Sequence, residues 1–203
     1  MIRIVESEFV KSAVKPDQYP TEGLADIVFA GKSNVGKSSM INTVLNRKLI
    51  AKISSKPGKT RLINFFKIRV KFSDSEESGF FNLVDLPGYG YAKVPKSERD
   101  SWQKMLDLYF QNRVQIRDVF ILVDIRHKAD PKDASMIEML KKLNLPFTVI
   151  ATKSDKIAKG KIPKALNGLK EGLGLTDETI IPFSSLKKQG VEKVINRIEK
   201  QIF

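Results

Sequence analysis

The 203 residues, 41% of them hydrophobic, suit one domain with a substantial core. Cysteine is absent and His127 is the single histidine, which excludes disulfides, thiolate metal sites, a cysteine nucleophile and a histidine-based zinc cluster. Lysine and arginine number 36 against 23 acids, a net charge of +13, which points to a polyanionic partner such as RNA or else to a solvated basic surface.

Along the chain, residues 1–24 read as an arm packing on a single domain of residues 25–203. The acids within Met1 to Phe9 disfavour a secretion signal, and no apolar run approaches the roughly 18 residues of a membrane span. A cytoplasmic protein, and a monomer, is expected. Asp26 to Ala30 is a short apolar run suited to a buried strand, and Ser38 to Leu45 reads as an amphipathic helix. Between them Gly31-Lys32-Ser33-Asn34-Val35-Gly36-Lys37-Ser38 fits G-x-x-x-x-G-K-[ST]. In such a loop glycines let backbone N–H groups turn toward phosphates, the lysine supplies positive charge and the hydroxyl reaches Mg²⁺. The phosphates would sit at a helix N-terminus, where backbone dipoles favour anions.

Lys56-Pro57-Gly58-Lys59-Thr60-Arg61 is a polar segment in which the Thr60 hydroxyl would complete the Mg²⁺ shell while its N–H senses a γ-phosphate. Leu62 to Phe72 and Gly79 to Asp85 flank the polar turn Ser73 to Ser78 and predict a hairpin with one antiparallel edge strand. Asp85-Leu86-Pro87-Gly88 follows at a strand end, placing a carboxylate for Mg²⁺ and a glycine whose N–H can approach a γ-phosphate closely. Helices are predicted over 96–112, 131–143, 161–172 and 190–202, alternating with strands over 118–124, 146–151 and 178–183. In an open sheet of this kind ligands bind beyond the carboxyl ends of the strands.

Thr152-Lys153-Ser154-Asp155 lies at one such end. An ionised Asp155 accepts the N1–H and N2–H₂ donors of guanine and opposes adenine, while Lys153 lays its stem along the purine face. Ser184-Ser185-Leu186 follows the last strand, where backbone N–H groups would meet guanine O6; an ordinary turn before the terminal helix is the alternative. The stripe Trp102, Met105, Leu106 and Tyr109 has helical spacing and is expected in the core, and His127 reads as a polar loop residue. Tyr89-Gly90-Tyr91 looks exposed, as a partner contact or as loop packing, with Lys93, Lys96 and Arg99 extending its charge. Lys153 to Lys161 and Lys187 to Lys200 are basic stretches fit for RNA phosphates. No RNP, KH or zinc-knuckle signature accompanies them, so base-specific reading of RNA is not expected.

Gly31 to Ser39, Pro57 to Arg61, Asp85-Leu-Pro-Gly-Tyr-Gly-Tyr-Ala92, Thr152 to Asp155 and Ser184-Ser185-Leu186, in this order, resemble the G1 to G5 motifs of the small GTPase fold. The likeness is close to the bacterial EngB family, also called YihA or YsxC, of the TrmE-Era-EngA-EngB branch, and runs essentially the whole chain. It implies an α/β, three-layer Ras-like P-loop fold with a mostly parallel six-stranded sheet. It also implies GTP/GDP and Mg²⁺ as cofactors, GTP hydrolysis, which Tyr89 in place of a water-orienting glutamine would leave slow, and a role with rRNA in large (50S) ribosomal subunit assembly, historically linked to cell division and septation. The implied nucleotide set is the P-loop with Ser39, then Gly58, Lys59, Thr60, Arg61 and Leu62, Asp85 to Gly88, Thr152 to Asp155, and Phe183 to Ser185. Catalytic roles fall to Lys37, Thr60 and Gly88, and Mg²⁺ to Ser38, Thr60 and Asp85.

Three residues set this chain apart from the broader pattern or extend it. Thr152 stands where an asparagine is usual, and Tyr89 where many GTPases carry a water-orienting glutamine. Asn34 occupies a place used by some relatives to coordinate K⁺; the alternative, which the turn favours, is that it only stabilises the loop through local hydrogen bonds. A P-loop ATPase or kinase, and a nucleotide-dependent interaction module of the division machinery, are the rival readings.

Overall fold

The structure is a computed structural model that describes residues 1–46, 62–89 and 95–203, apart from the side chains of residues 96, 98 and 99. Among the described residues one sheet of seven strands carries the fold, in the order β1-β3-β4-β2-β5-β6-β7. The strands are β1 (Ile2–Ala13), β2 (Asp26–Gly31), β3 (Ile63–Phe72), β4 (Ser78–Asp85), β5 (Ile116–Asp124), β6 (Phe147–Thr152) and β7 (Ile180–Pro182). The helices are α1 (Lys37–Val44), α2 (Lys96–Asn112), α3 (Pro131–Lys142), α4 (Ile162–Gly172) and α5 (Val191–Ile202).

β4, β2, β5, β6 and β7 pair in parallel, and β3 runs antiparallel to both of its neighbours. Two expectations are corrected here. The arm of residues 1–24 contains a 12-residue strand, so the sheet has seven strands rather than six. In consequence the antiparallel strand β3 is not an edge strand, because β1 covers it from Ile2↔Phe72 to Ala13↔Ile63. Register shifts at Ile4/Glu6 and Phe9/Lys11 break the two-residue alternation of β1, and charged residues mark it as an outer strand.

The central strands are apolar on both sides, and alternate residues face different layers. Ile27, Phe29, Phe120 and Leu122 pack with Met40, Ile41 and Val44 of α1 and Val194 and Ile198 of α5. Val28, Ala30, Val119, Ile121 and Val123 pack with Leu106 and Tyr109 of α2, Ile137 and Leu140 of α3 and Leu169 of α4. Helices therefore cover both faces, and the α2 stripe of Met105, Leu106 and Tyr109 is buried as its spacing predicts. At the N-terminal end of β2 the fully buried Asp26 accepts hydrogen bonds from Arg113, Tyr109 and Asn82, and Arg113 also donates to Pro20 O. This fixes one end of β2; the chain leaves the other end as the phosphate loop.

Candidate nucleotide site

Gly31 ends β2 where the backbone must pass closely over β5: a Cβ there would lie 3.0 Å from Leu122 O. The loop turns through Asn34 (φ 64°) and Gly36 (φ 106°), left-handed conformations that asparagine and glycine tolerate best. α1 then starts at Lys37, so the N–H groups of Lys37, Ser38 and Ser39 lack intrahelical acceptors. Ser38 and Ser39 are exposed, and Val35 is buried beneath the loop. The geometry suits an anion at the helix start.

Lys37 Nζ ion-pairs with Asp85 Oδ1, both groups nearly buried, at 11% and 3% side-chain exposure. The last residue of β4 is thereby joined to the first residue of α1. Beyond it Leu86 N donates to Phe29 O at 3.0 Å, and Gly88 approaches the P-loop so closely that a Cβ would sit 3.1 Å from Ser33 Oγ. Among the described residues the Gly88 N–H has no acceptor. Ser38 and Asp85 bring two oxygen donors to this end of the site, and no cluster of three or more His, Asp or Glu side chains gathers a metal by itself among the described residues. That donor set fits Mg²⁺, which keeps waters and takes phosphate oxygens beside one or two protein ligands. Gly58, Lys59, Thr60 and Arg61 lie outside the described residues, as do Gly90, Tyr91 and Lys93; Leu62 is described just before β3.

On the other side of the loop, β6 delivers Thr152 to Asp155. The Thr152 hydroxyl donates to Val35 O at 2.7 Å and lies 3.0 Å from Val123 O, bracing the P-loop against β5. Lys153 adopts φ 60° and donates to Asn34 O at 2.7 Å. Ser154 is buried, and its N–H donates to Phe183 O at 3.1 Å. Asp155 Oδ1 accepts from Ser184 Oγ at 2.6 Å, a bond that holds the carboxyl below its usual range. Ser184 is itself pinned by reciprocal 3.1 Å backbone bonds with Gln189, whereas the N–H of Ser185 has no acceptor among the described residues.

A matching family model, described as a 50S ribosome-binding GTPase, covers residues 26–153. The probable GTP-binding protein EngB of Alkaliphilus metalliredigens is 47% identical over 199 residues, which span 98% of this chain and 91% of that protein. This chain belongs to the EngB family. The EngB of Bacillus velezensis is 46% identical across 99% of each chain. The crystal structure of a probable GTP-binding protein engB matches with TM-score 0.66 and 26% identity, over 88% of this chain and 98% of that one. As an EngB-family member the protein is a P-loop GTPase, which removes the kinase and ATPase readings.

Within this EngB fold Tyr89 is not exposed. It is buried at 4% exposure, its hydroxyl donates to Asp133 Oδ1 at 2.7 Å, and its ring lies 6.0 Å from that of Trp102. His127 is an exposed loop residue near Asp124, as expected. Asp124 itself, at the end of β5, escaped notice in the sequence. Burial would raise its carboxyl, but Arg126 Nη2 at 2.7 Å and Lys153 Nζ at 2.9 Å hold it well below the ordinary range. It thus fixes Lys153, which also donates to the P-loop at Asn34 O. The available signal was its place at a strand's carboxyl end beside β6. Asp130 and Asp133 went equally unnoticed; Asp130 accepts from Lys32 Nζ at 2.5 Å, while burial lifts the Asp133 carboxyl to about 6.

Proposed function

We propose that this EngB-family GTPase is a Mg-GTP-dependent switch that docks on the large ribosomal subunit or its precursor through rRNA and leaves after hydrolysis. The observation that carries the reading is the charge around the nucleotide end of the sheet. The loops after β5, β6 and β7, residues 125–130, 153–161 and 183–190, hold eight lysines and arginines against two aspartates. Lys128, Lys159, Lys161, Lys187 and Lys188 are exposed there, with no carboxylate within ion-pair distance among the described residues. Such a rim attracts phosphates without reading bases. The acidic turn 73–78 lies at the opposite ends of the parallel strands, so the basic field has a direction.

The P-loop would cradle the phosphates, with Lys37 turned from Asp85 toward them. Ser38 and Asp85, together with Thr60 from outside the described residues, would hold Mg²⁺, which screens charge on the transferred phosphoryl group. Asp155 would select guanine, with the Ser185 N–H near O6. The Tyr89 phenol is committed to Asp133 and cannot orient an attacking water, which supports slow intrinsic turnover, below about 1 s⁻¹. The cell-division link rests on the family resemblance alone.

Co-sedimentation with large ribosomal subunits tests the reading. A non-hydrolysable GTP analogue should support binding that weakens steeply with salt, and charge reversal at Lys159, Lys161, Lys187 and Lys188 should abolish it. In the Asp155→Asn variant the requirement should pass to the xanthosine analogue. Binding that ignored both nucleotide and salt would refute the switch.

A further inference from the structure

Tyr89 stands immediately after the phosphate-sensing glycine, yet its side chain leaves the site and enters the α2–α3 layer. Its backbone is paired on both sides with the P-loop: Tyr89 N donates to Gly31 O at 3.3 Å and Ser33 N donates to Tyr89 O at 3.0 Å. Among the described residues this short parallel bridge, with Ser33 Oγ also donating to Tyr89 O at 3.5 Å, holds Gly88 against Ser33, and Gly88 has no side chain to anchor. The anchor is one residue on, where the phenol meets Asp133 in the first turn of α3. The start of α3 is in turn joined to the P-loop by Lys32 and Asp130. P-loop, Gly88 segment and α3 therefore form a closed ring of links. A phenylalanine against a leucine would fill similar volume without the cost of a buried carboxylate. The polar pair adds a fixed direction, which sets the rotation of the ring and so the path of the backbone behind it.

We propose that Asp133 is a positioning residue of the GTPase site: by holding the Tyr89 hydroxyl it keeps the Gly88 N–H beside the P-loop with its donor unspent, ready for a γ-phosphate. The inference rests on the GTP-switch reading and adds to it the residue that preorganises the sensor. Preorganisation favours only a ligand that uses the donor. Breaking the link therefore weakens GTP and leaves GDP unaffected.

Binding of GDP and of a non-hydrolysable GTP analogue, each with Mg²⁺, is measured on wild type, Tyr89→Phe, Asp133→Ala, the double variant and Asp133→Asn. Tyr89→Phe removes one oxygen atom and serves if Asp133→Ala folds poorly. Loss of one hydrogen bond should lower analogue affinity about three- to tenfold relative to GDP. The double variant should lose no more than either single one, and Asp133→Asn, whose amide oxygen still accepts, should stay close to wild type. The chain's single tryptophan, Trp102, lies 6.0 Å from the Tyr89 ring and reports the link directly. Its emission should change on analogue binding in wild type and Asp133→Asn, and respond less in Tyr89→Phe and Asp133→Ala. An unchanged affinity ratio in those two variants, equal losses for both nucleotides, or additive losses in the double variant would overturn the assignment. Wild-type protein that treated analogue and GDP alike would remove the switch reading, and this inference with it.

Discussion

Replacing Arg113 with methionine should destabilise the fold by about 4 kcal/mol while leaving nucleotide binding intact. Asp26 is 0% exposed and receives Arg113 Nε at 2.7 Å and Nη2 at 3.2 Å, with Tyr109 Oη at 3.0 Å and Asn82 Nδ2 at 2.9 Å supplying its other donors. Methionine keeps apolar contact with the Tyr19 and Phe65 rings, whose centroids lie 6.0 and 5.7 Å from the guanidinium carbon. The substitution thus removes charge and donors more than packing. Two hydrogen bonds to a charged acceptor are worth about 1.5–3 kcal/mol each, and breaking a buried ion pair from one side costs about 3–5 kcal/mol. The two routes agree near 4. With a urea slope of about 2 kcal/mol/M the unfolding midpoint should fall by about 2 M. Adding Asp26→Asn removes the stranded carboxylate and should restore part of the loss. Five residue steps along β2 separate this clamp from Gly31 by about 17 Å, so GDP affinity measured below the transition should be unchanged. A cost below about 1 kcal/mol, or a double variant as unstable as the sum of the two single ones, would refute the reasoning.

Two further outcomes are expected from the same physical picture. Gly190 has φ 82° and a Cβ there would lie 2.5 Å from Pro182 O, whereas Gly168 sits inside α4 with nothing within 4 Å of a Cβ. Gly190→Ala should therefore cost more than about 1 kcal/mol and Gly168→Ala should stabilise by about 0.5–1 kcal/mol, read from urea melts; the same sign for both would contradict the geometry. Asp133 is raised from 3.8 to about 6 by burial, so the folded state holds a proton that the unfolded chain releases as pH rises through that window. Its contribution is neutral below pH 3.8 and becomes a penalty of up to about 3 kcal/mol above 6. Asp133→Asn should gain on wild type between pH 4 and 7, and a flat difference between their melts would count against the buried carboxylate.

What the sequence revealed and what it hid divide along the range of the interactions involved. β5 and β6 were legible because short, near-continuous apolar runs rich in β-branched residues suit strands covered on both faces, and α2 because its apolar stripe recurs at helical spacing. The P-loop was legible because its backbone conformation needs particular residues at adjacent positions. β1 was hidden: two register shifts scramble its alternation, and Arg3, Glu6, Glu8 and Lys11 give an outer strand the look of a polar arm. Tyr89 was only half legible, with loop packing left open beside a partner contact, for a different reason. Its burial depends on Asp133 and Trp102, whose positions follow from the packing of α3 and α2 and leave no local mark beside the tyrosine.

Thr152 shows how a departure from a motif becomes intelligible once its contacts are known. Its hydroxyl ties Val35 O of the P-loop to β6, within 3.0 Å of Val123 O on β5. That brace requires one short donor at the end of a strand, and a β-branched threonine meets the requirement while favouring the extended backbone of β6. An asparagine amide would bring a second donor and an acceptor for which this buried corner offers less evident use. Thr152 thus leaves its neighbours to their own contacts: Asp155 is oriented by Ser184, and Lys153 is held from both sides by Asn34 O and Asp124. The threonine supports the phosphate loop through Val35 O and leaves the Asp155 carboxylate free to be held by Ser184.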